Sequence, residues 1–206
     1  MKARRVLLAK PFTLVLVLVS SLLLVQSTRA QSFNVIHNFT GGTDGANPLN
    51  GLMMGAGGYM YGTTSAGGAY NNGTVFRLAP TGILQTIYAF RGGADGSSPQ
   101  SFLIEDSHGL LYGTTSAGGA FGGGTVFRIA NNSKTILHSF GSGSDGSAPL
   151  AGLAFDRTDN LYGTTSAGGA NGNGTVFMLS PRGILWGRRS CIASARARTA
   201  PFHTQA

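Results

Sequence analysis

Short apolar runs alternate with glycine-rich, polar stretches along most of this chain. Near its C-terminal end, residues 152–156 form a brief apolar run. Residues 157–160, with Asp159 and Asn160, have the composition of a turn, because Asp and Asn tolerate left-handed backbone geometry. Residues 161–166 are rich in β-branched and aromatic types, 167–174 are a Gly/Asn loop, and 175–179 are again β-forming. Earlier in the chain, Pro80-Thr81-Gly82 leads into a further run of this kind at 83–90. Beyond the first thirty residues no window of eleven or more has helical spacing. The pattern predicts units of four short strands, three linked as a meander and the fourth reaching the next unit.

The units are copies. Tyr61-Gly62-Thr63-Thr64-Ser65-Ala66-Gly67-Gly68-Ala69 returns unchanged at 112–120 and at 162–170. Gly73-Thr74-Val75-Phe76 returns at 124–127 and 174–177. Asp44-Gly45, Asp95-Gly96 and Asp145-Gly146 form another column, followed by Pro48, Pro99 and Pro149; Phe39, Phe90 and Phe140 form one more. Every column steps by 51 residues and then by 50, the lost residue lying where Ala79-Pro80-Thr81-Gly82 is answered by Ala130-Asn131-Asn132. Four antiparallel strands in roughly 50 residues is the pattern of a propeller blade, whereas solenoid coils usually run to about 20–30. The expected fold is therefore all-β and propeller-like, in three tandem four-stranded units near 33–90, 91–140 and 141–185.

The YGTTSAGG…GTVF pattern, followed by a Gly-rich loop with Asp-Gly and Pro, resembles the Gloeo/Verruco (GloVer) tandem repeat over residues 33–185. The resemblance implies an exported or cell-surface bacterial repeat protein, and it brings no catalytic residues with it.

Two features depart from a closed propeller. Such rings have roughly 4–8 blades, and three units are expected here, an incomplete ring with open edge strands that invite self-association. Residues 33–39 match the fourth-strand column, so a strand of that type precedes the first full unit. At the other end Pro181-Arg182-Gly183-Ile184-Leu185 matches residues 80–84, but Trp186-Gly187-Arg188-Arg189-Ser190-Cys191 replaces the expected strand. Residues 186–206 read as an atypical basic tail, with the composition of a shifted reading frame. One alternative is accordingly an inactive fragment of a longer propeller.

Charge locates the remaining signals. Lys2, Arg4, Arg5 and Lys10 precede an apolar run at 12–25, and Thr28-Arg29-Ala30 supplies small residues for cleavage. Residues 1–30 read as a secretory signal peptide, since the run is shorter than the about 20 residues of a spanning helix. The mature chain is expected to be secreted, with no membrane span. The net charge of +8 resides in the leader and the tail; residues 31–181 hold five basic and seven acidic residues. A nucleic-acid binder needs its basic patch on the folded face, so nucleic acid is not an expected partner. The single cysteine, Cys191, excludes an intrachain disulfide.

Candidate chemistry is sparse. Asp44, Asp95 and Asp145 are calcium candidates, but one carboxylate per loop is few for an ion that takes six to eight oxygens. The competing reading is an Asx turn in which each Asp caps its own backbone; no other cofactor is expected. His37, Tyr88 and His138 share a column that reads as packing. His108 falls in a turn, and His203 in the tail. The recurrent Thr-Thr-Ser reads as structural, because a nucleophile needs a base and an orienting group. Asn38, Asn72, Asn131 and Asn173 stand in Asn-x-Ser/Thr and read as turn residues. Tyr70, Phe121 and Asn171, just beyond each Gly-Gly, are candidate ligand-binding residues on a rim that suits a surface polysaccharide. The leading expectation is a structural or binding protein at the cell surface, not an enzyme. The alternatives are a carbohydrate-binding module and, against the even spread of acids, a hydrolase or lyase.

Overall fold

The computed structural model describes residues 31–141, 144–182 and 185–187. Residues 1–30 and most of residues 186–206, with Cys191 and His203, lie outside them. The chain divides between Val35 and Ile36 into two compact units. In the first, the described residues 31–35 carry no strand. The second holds β1 (Met53–Met54), β2 (Met60–Thr64), β3 (Thr74–Leu78), β4 (Leu84–Ala89), β5 (Ile104–Glu105), β6 (Leu111–Thr115), β7 (Thr125–Ala130), β8 (Ser133–Ser139), β9 (Ala154–Phe155), β10 (Leu161–Thr165), β11 (Thr175–Arg182) and β12 (Leu185–Gly187).

These strands make three four-stranded antiparallel sheets, β1-β2-β3-β4, β5-β6-β7-β8 and β9-β10-β11-β12. The fold is all-β and propeller-like, one meander per repeat. The fourth strand bonds within its own sheet, and the loop after it enters the next. No helix among the described residues is long and apolar enough to cross a membrane.

The invariant residues of each repeat explain its packing. Gly62 pairs with Phe76, Gly113 with Phe127 and Gly163 with Phe177. A Cβ at these glycines would lie 2.5, 2.8 and 2.4 Å from the Cζ of the facing ring. Each phenylalanine thus lies across the bare backbone of its neighbour, burying a ring where a side chain would clash. The Phe at the end of one unit then meets this ring edge-on or tilted. The centroid distances are 5.2 Å for Phe39–Phe76, 5.2 Å for Phe90–Phe127 and 5.0 Å for Phe140–Phe177. Two apolar clusters result, each drawing on neighbouring sheets. One joins Val75 and Phe90 with Leu103, Phe127 and Ile129; the other joins Val126 and Phe140 with Leu153, Leu161 and Phe177. Offset and edge-to-face ring pairs of this kind add roughly 0.5–1.5 kcal/mol beyond the area they bury.

Both complete fourth strands carry a bulge. Val75 pairs with Tyr88 but Phe76 with Thr86, and Val126 pairs with His138 but Phe127 with Ile136. The skipped residues, Ile87 and Leu137, pack against the two clusters. The extra residue re-aims the side chains that follow it.

The two ends differ from the pattern read in the sequence. Residues 33–39 form no strand, having no ladder neighbour among the described residues. At the other end a fourth strand does exist, but it is a three-residue stub. Arg182 pairs with Leu185 in the third sheet, whereas Leu78 pairs with Leu84 in the first. The stub therefore sits three residues further along, and Thr175–Leu179 have no fourth-strand partner among the described residues.

Backbone strain recurs before each loop proline. Asn47, Ser98 and Ala148 have φ of 56°, 53° and 51°. Asparagine tolerates this region and alanine does not. Ala148→Asn, which copies the first unit, is expected to raise stability by about 0.5–1 kcal/mol. Urea titration checks this; an unchanged or lowered midpoint would count against strain at Ala148.

Candidate functional site

The hairpin loops β2–β3, β6–β7 and β10–β11 share one rim with the Asp-Gly loops. Antiparallel bridges Ala46↔Ala66, Ser97↔Ala117 and Ser147↔Ala167 tie the two kinds of loop together. Beneath each bridge the two buried threonines of the repeat meet, with Oγ1–Oγ1 distances of 2.8 Å (Thr64–Thr74), 2.8 Å (Thr115–Thr125) and 2.9 Å (Thr165–Thr175). The first Oγ1 of each pair also donates to the carbonyl of Ala66, Ala117 or Ala167. It accepts the N–H of the second threonine as well. These bonds tie together the two strands of each hairpin at the rim.

The Asp column forms the other half of the rim. His37 Nε2 lies 3.1 Å from Asp44, the Tyr88 hydroxyl donates to Asp95 at 2.8 Å, and His138 Nε2 lies 2.9 Å from Asp145. Each carboxylate also accepts a backbone N–H four residues earlier, from Thr40, Arg91 and Gly141 at 2.9, 2.8 and 3.0 Å. The Asp residues thus close their loops backward onto the residues that follow the fourth-strand column, and do not cap the turn ahead as an Asx turn would. The His/Tyr column packs, in keeping with a position that accepts either ring, since its rings stand edge-on to Phe39, Phe90 and Phe140 at 4.9, 5.2 and 4.6 Å. It also supplies the donors of this latch.

The middle latch has a fourth member. Lys134 Nζ lies 2.8 Å from Asp95 Oδ1, is almost fully buried, and donates to the Asp95 carbonyl. Burial works against the charge on Asp95, but bonds from Lys134, the Arg91 N–H and Tyr88 outweigh it and hold the carboxyl below its usual range. Burial, then the bond to Asp95, pushes the Tyr88 hydroxyl well up. Burial lowers Lys134, and Asp95 opposes this. The Thr40 hydroxyl and N–H lower Asp44. Among the described residues no three His, Cys, Asp or Glu side chains gather as a metal-binding set.

A second set of carboxylates, not singled out in the sequence, lies in the strand-linking turns. Asp106 accepts the N–H groups of His108 and Leu110 and the Tyr112 hydroxyl, the last at 2.9 Å. Asp156 does the same with Thr158, Asn160 and Tyr162. These are the Asx turns of the fold, with Asp159 at φ 61°. Burial, then Asp106, pushes Tyr112 up to about 12. Their shared six-residue Asp-to-Tyr spacing was the available signal.

Tyr70, Phe121 and Asn171 stand at equivalent points of the three hairpin loops. Tyr70 and Phe121 are half-exposed. Arg91 lies 5.8 Å over the Tyr70 ring. Asn171 is exposed and lines an open cavity of about 400 Å³ with Thr164, Thr175 and Val176.

The lowered carboxyls set an acid limit. An unfolded Asp titrates near 4, so as pH falls the unfolded chain binds protons first. Stability held above that point is lost until the folded carboxyls protonate too. Denaturation midpoints are expected to drop between pH 7 and about pH 3, and to drop less in Asp95→Asn. An equal drop in both would remove Asp95 from the effect.

No curated protein matches the sequence. A solved structure provisionally named a gluconolactonase is similar at 17% identity and a TM-score of 0.46, over 66% of this chain and 46% of that one. The Gloeobacter/Verrucomicrobia repeat matches residues 23–189. That span contains all three sheets and both sets of rim loops, and the chain belongs to the Gloeobacter/Verrucomicrobia repeat family.

Proposed function

We propose that this chain is an exported repeat protein with a structural or binding role at the cell surface and no catalysis. The observation that carries the reading is the use each unit makes of its polar groups. The Thr pairs bond each other, and the Asp carboxylates close their own loops. A hydrolytic site would instead hold a carboxylate or imidazole free to move a proton. Export rests on the charged, apolar and small-residue order of the first thirty residues. Bacterial expression followed by N-terminal sequencing tests it. A product outside the cytoplasm that begins at Gln31 is expected; a cytoplasmic product with residues 1–30 intact would overturn export.

A second reading is favoured by Tyr70 and Phe121. They are aromatic, half-exposed and placed at equivalent points of successive hairpins. Such rings suit the apolar faces of a repeating sugar polymer. The double change Tyr70→Ala, Phe121→Ala is expected to weaken retention on a bacterial polysaccharide array by about tenfold or more without altering the melting midpoint. Equal binding by both proteins would sink this reading.

A further inference from the structure

Among the described residues the seam between neighbouring units is built twice, and each half of it is left over once. At the first seam Val75 meets Leu103 within one cluster, Thr63 donates to the Ser101 carbonyl, and the Ser98 N–H donates to Asn72 O. At the second, Val126 meets Leu153, Thr114 donates to the Pro149 carbonyl, and the Ala148 N–H donates to Gly123 O. Pro99 and Pro149 pack beside Gly73 and Gly124.

The third unit offers the donor half of this seam with nothing on it among the described residues. Val176 is 56% exposed, whereas Val75 and Val126 are both at 0%. Thr164 and Tyr162 are exposed, whereas Thr114 and Tyr112 are buried. Val176 and Thr164 line the cavity of about 400 Å³. The first unit offers the opposite half. Leu52 is 43% exposed, whereas Leu103 is at 1% and Leu153 at 7%. Pro48 and Asn50 stand in the columns of Pro149 and Ala151, and residues 33–39 stand in the fourth-strand column while forming no strand.

We propose that the open face of the third unit binds the first unit of a second copy of this chain, head to tail. The chain's own seams fix the register. Thr74 pairs with Ala89, Val75 with Tyr88, Phe76 with Thr86 and Arg77 with Gln85. Carried over by the repeat, Thr175 pairs with the second copy's Asn38, Val176 with its His37, Phe177 with its Val35 and Met178 with its Asn34. Leu52 of the second copy covers Val176, and the Thr164 hydroxyl donates to a carbonyl near Pro48. Residues 33–39 then gain the neighbour a strand requires. The contact uses two different surfaces, so two copies close by satisfying both seams. The three described units of each copy then make six, within the roughly four to eight of closed propellers. This proposal stands apart from the polysaccharide reading and from export.

Sedimentation equilibrium of the full chain, with Val176→Asp and Leu52→Asp beside it, is the test. Both residues are exposed in the single chain, so neither change should move its melting midpoint. A wild-type mass of two chains is expected, with each variant at one chain. An equimolar mixture of the variants should recover a 1:1 pair, because one intact head still meets one intact tail. A second measurement fixes the register in a Cys191→Ser background. Chains with Asn34→Cys and chains with Met178→Cys should form a mixed disulfide, and Ser180→Cys in place of Met178→Cys should not. Wild-type monomer up to the highest soluble concentration would overturn the proposal. So would variants that remain dimeric, a mixture that stays monomeric, or cross-linking that ignores register.

Discussion

Asp95→Ala is expected to cost about 3–5 kcal/mol of folding stability, the loss typical when one partner of a buried ion pair is removed. Three donors lose the carboxylate together: the nearly buried Lys134 ammonium, which keeps only the Asp95 carbonyl, the Tyr88 hydroxyl and the Arg91 N–H. The ammonium matters most, because its position in β8 leaves it against the Phe90 and Tyr88 rings, with centroid distances of 5.0 and 5.5 Å. The double change Asp95→Ala, Lys134→Met should recover part of the loss, since a buried pair replaced by apolar groups is often near neutral. Urea titrations of the two variants and the wild type measure both effects. A loss below about 1 kcal/mol for Asp95→Ala, in the range of exposed ion pairs, would mean that Lys134 reaches water without its partner.

Gly124→Ala should be comparably damaging, by about 2–5 kcal/mol, from a left-handed backbone and a clash together. Its φ is 97°, and an added Cβ would lie 2.3 Å from the Thr115 carbonyl oxygen and 2.7 Å from Pro149 Cδ. Neither neighbour is a flexible side-chain end that can swing away. Gly122, two residues earlier, is the control. Its φ is 82° but nothing lies within 4 Å of the added Cβ. Gly122→Ala should cost only the backbone part, about 1–2 kcal/mol. Equal losses at the two sites would show that the seam yields to the extra methyl.

Much of this architecture is legible in the sequence. The run read at 161–166 is β10, Leu161–Thr165, and the run read at 83–90 contains β4, Leu84–Ala89. Both were visible because alternation and glycine turns are local signals. The Asp latch was not legible. Its members stand seven residues apart, Tyr88 and His138 directly following a bulge, and a straight strand of period two gives no reason for them to reach the loop beyond. Lys134 was hidden for a different reason, because it meets Asp95 across 39 positions and no second unit has a lysine there. The stub β12 was missed because the sequence after Leu185 leaves the repeat, while backbone pairing needs no matching side chains.

The seams have a consequence for how such chains change in length. Both are made from the same atoms, Ser98 N–H to Asn72 O in one and Ala148 N–H to Gly123 O in the other. The residue lost between the second and third copies falls in the β7–β8 turn, away from the bridged rim. Duplicating or excising one whole period therefore reproduces a join the molecule already contains. Copy number can drift under recombination between near-identical stretches of coding sequence, and every interior contact of the product is one that selection has already accepted.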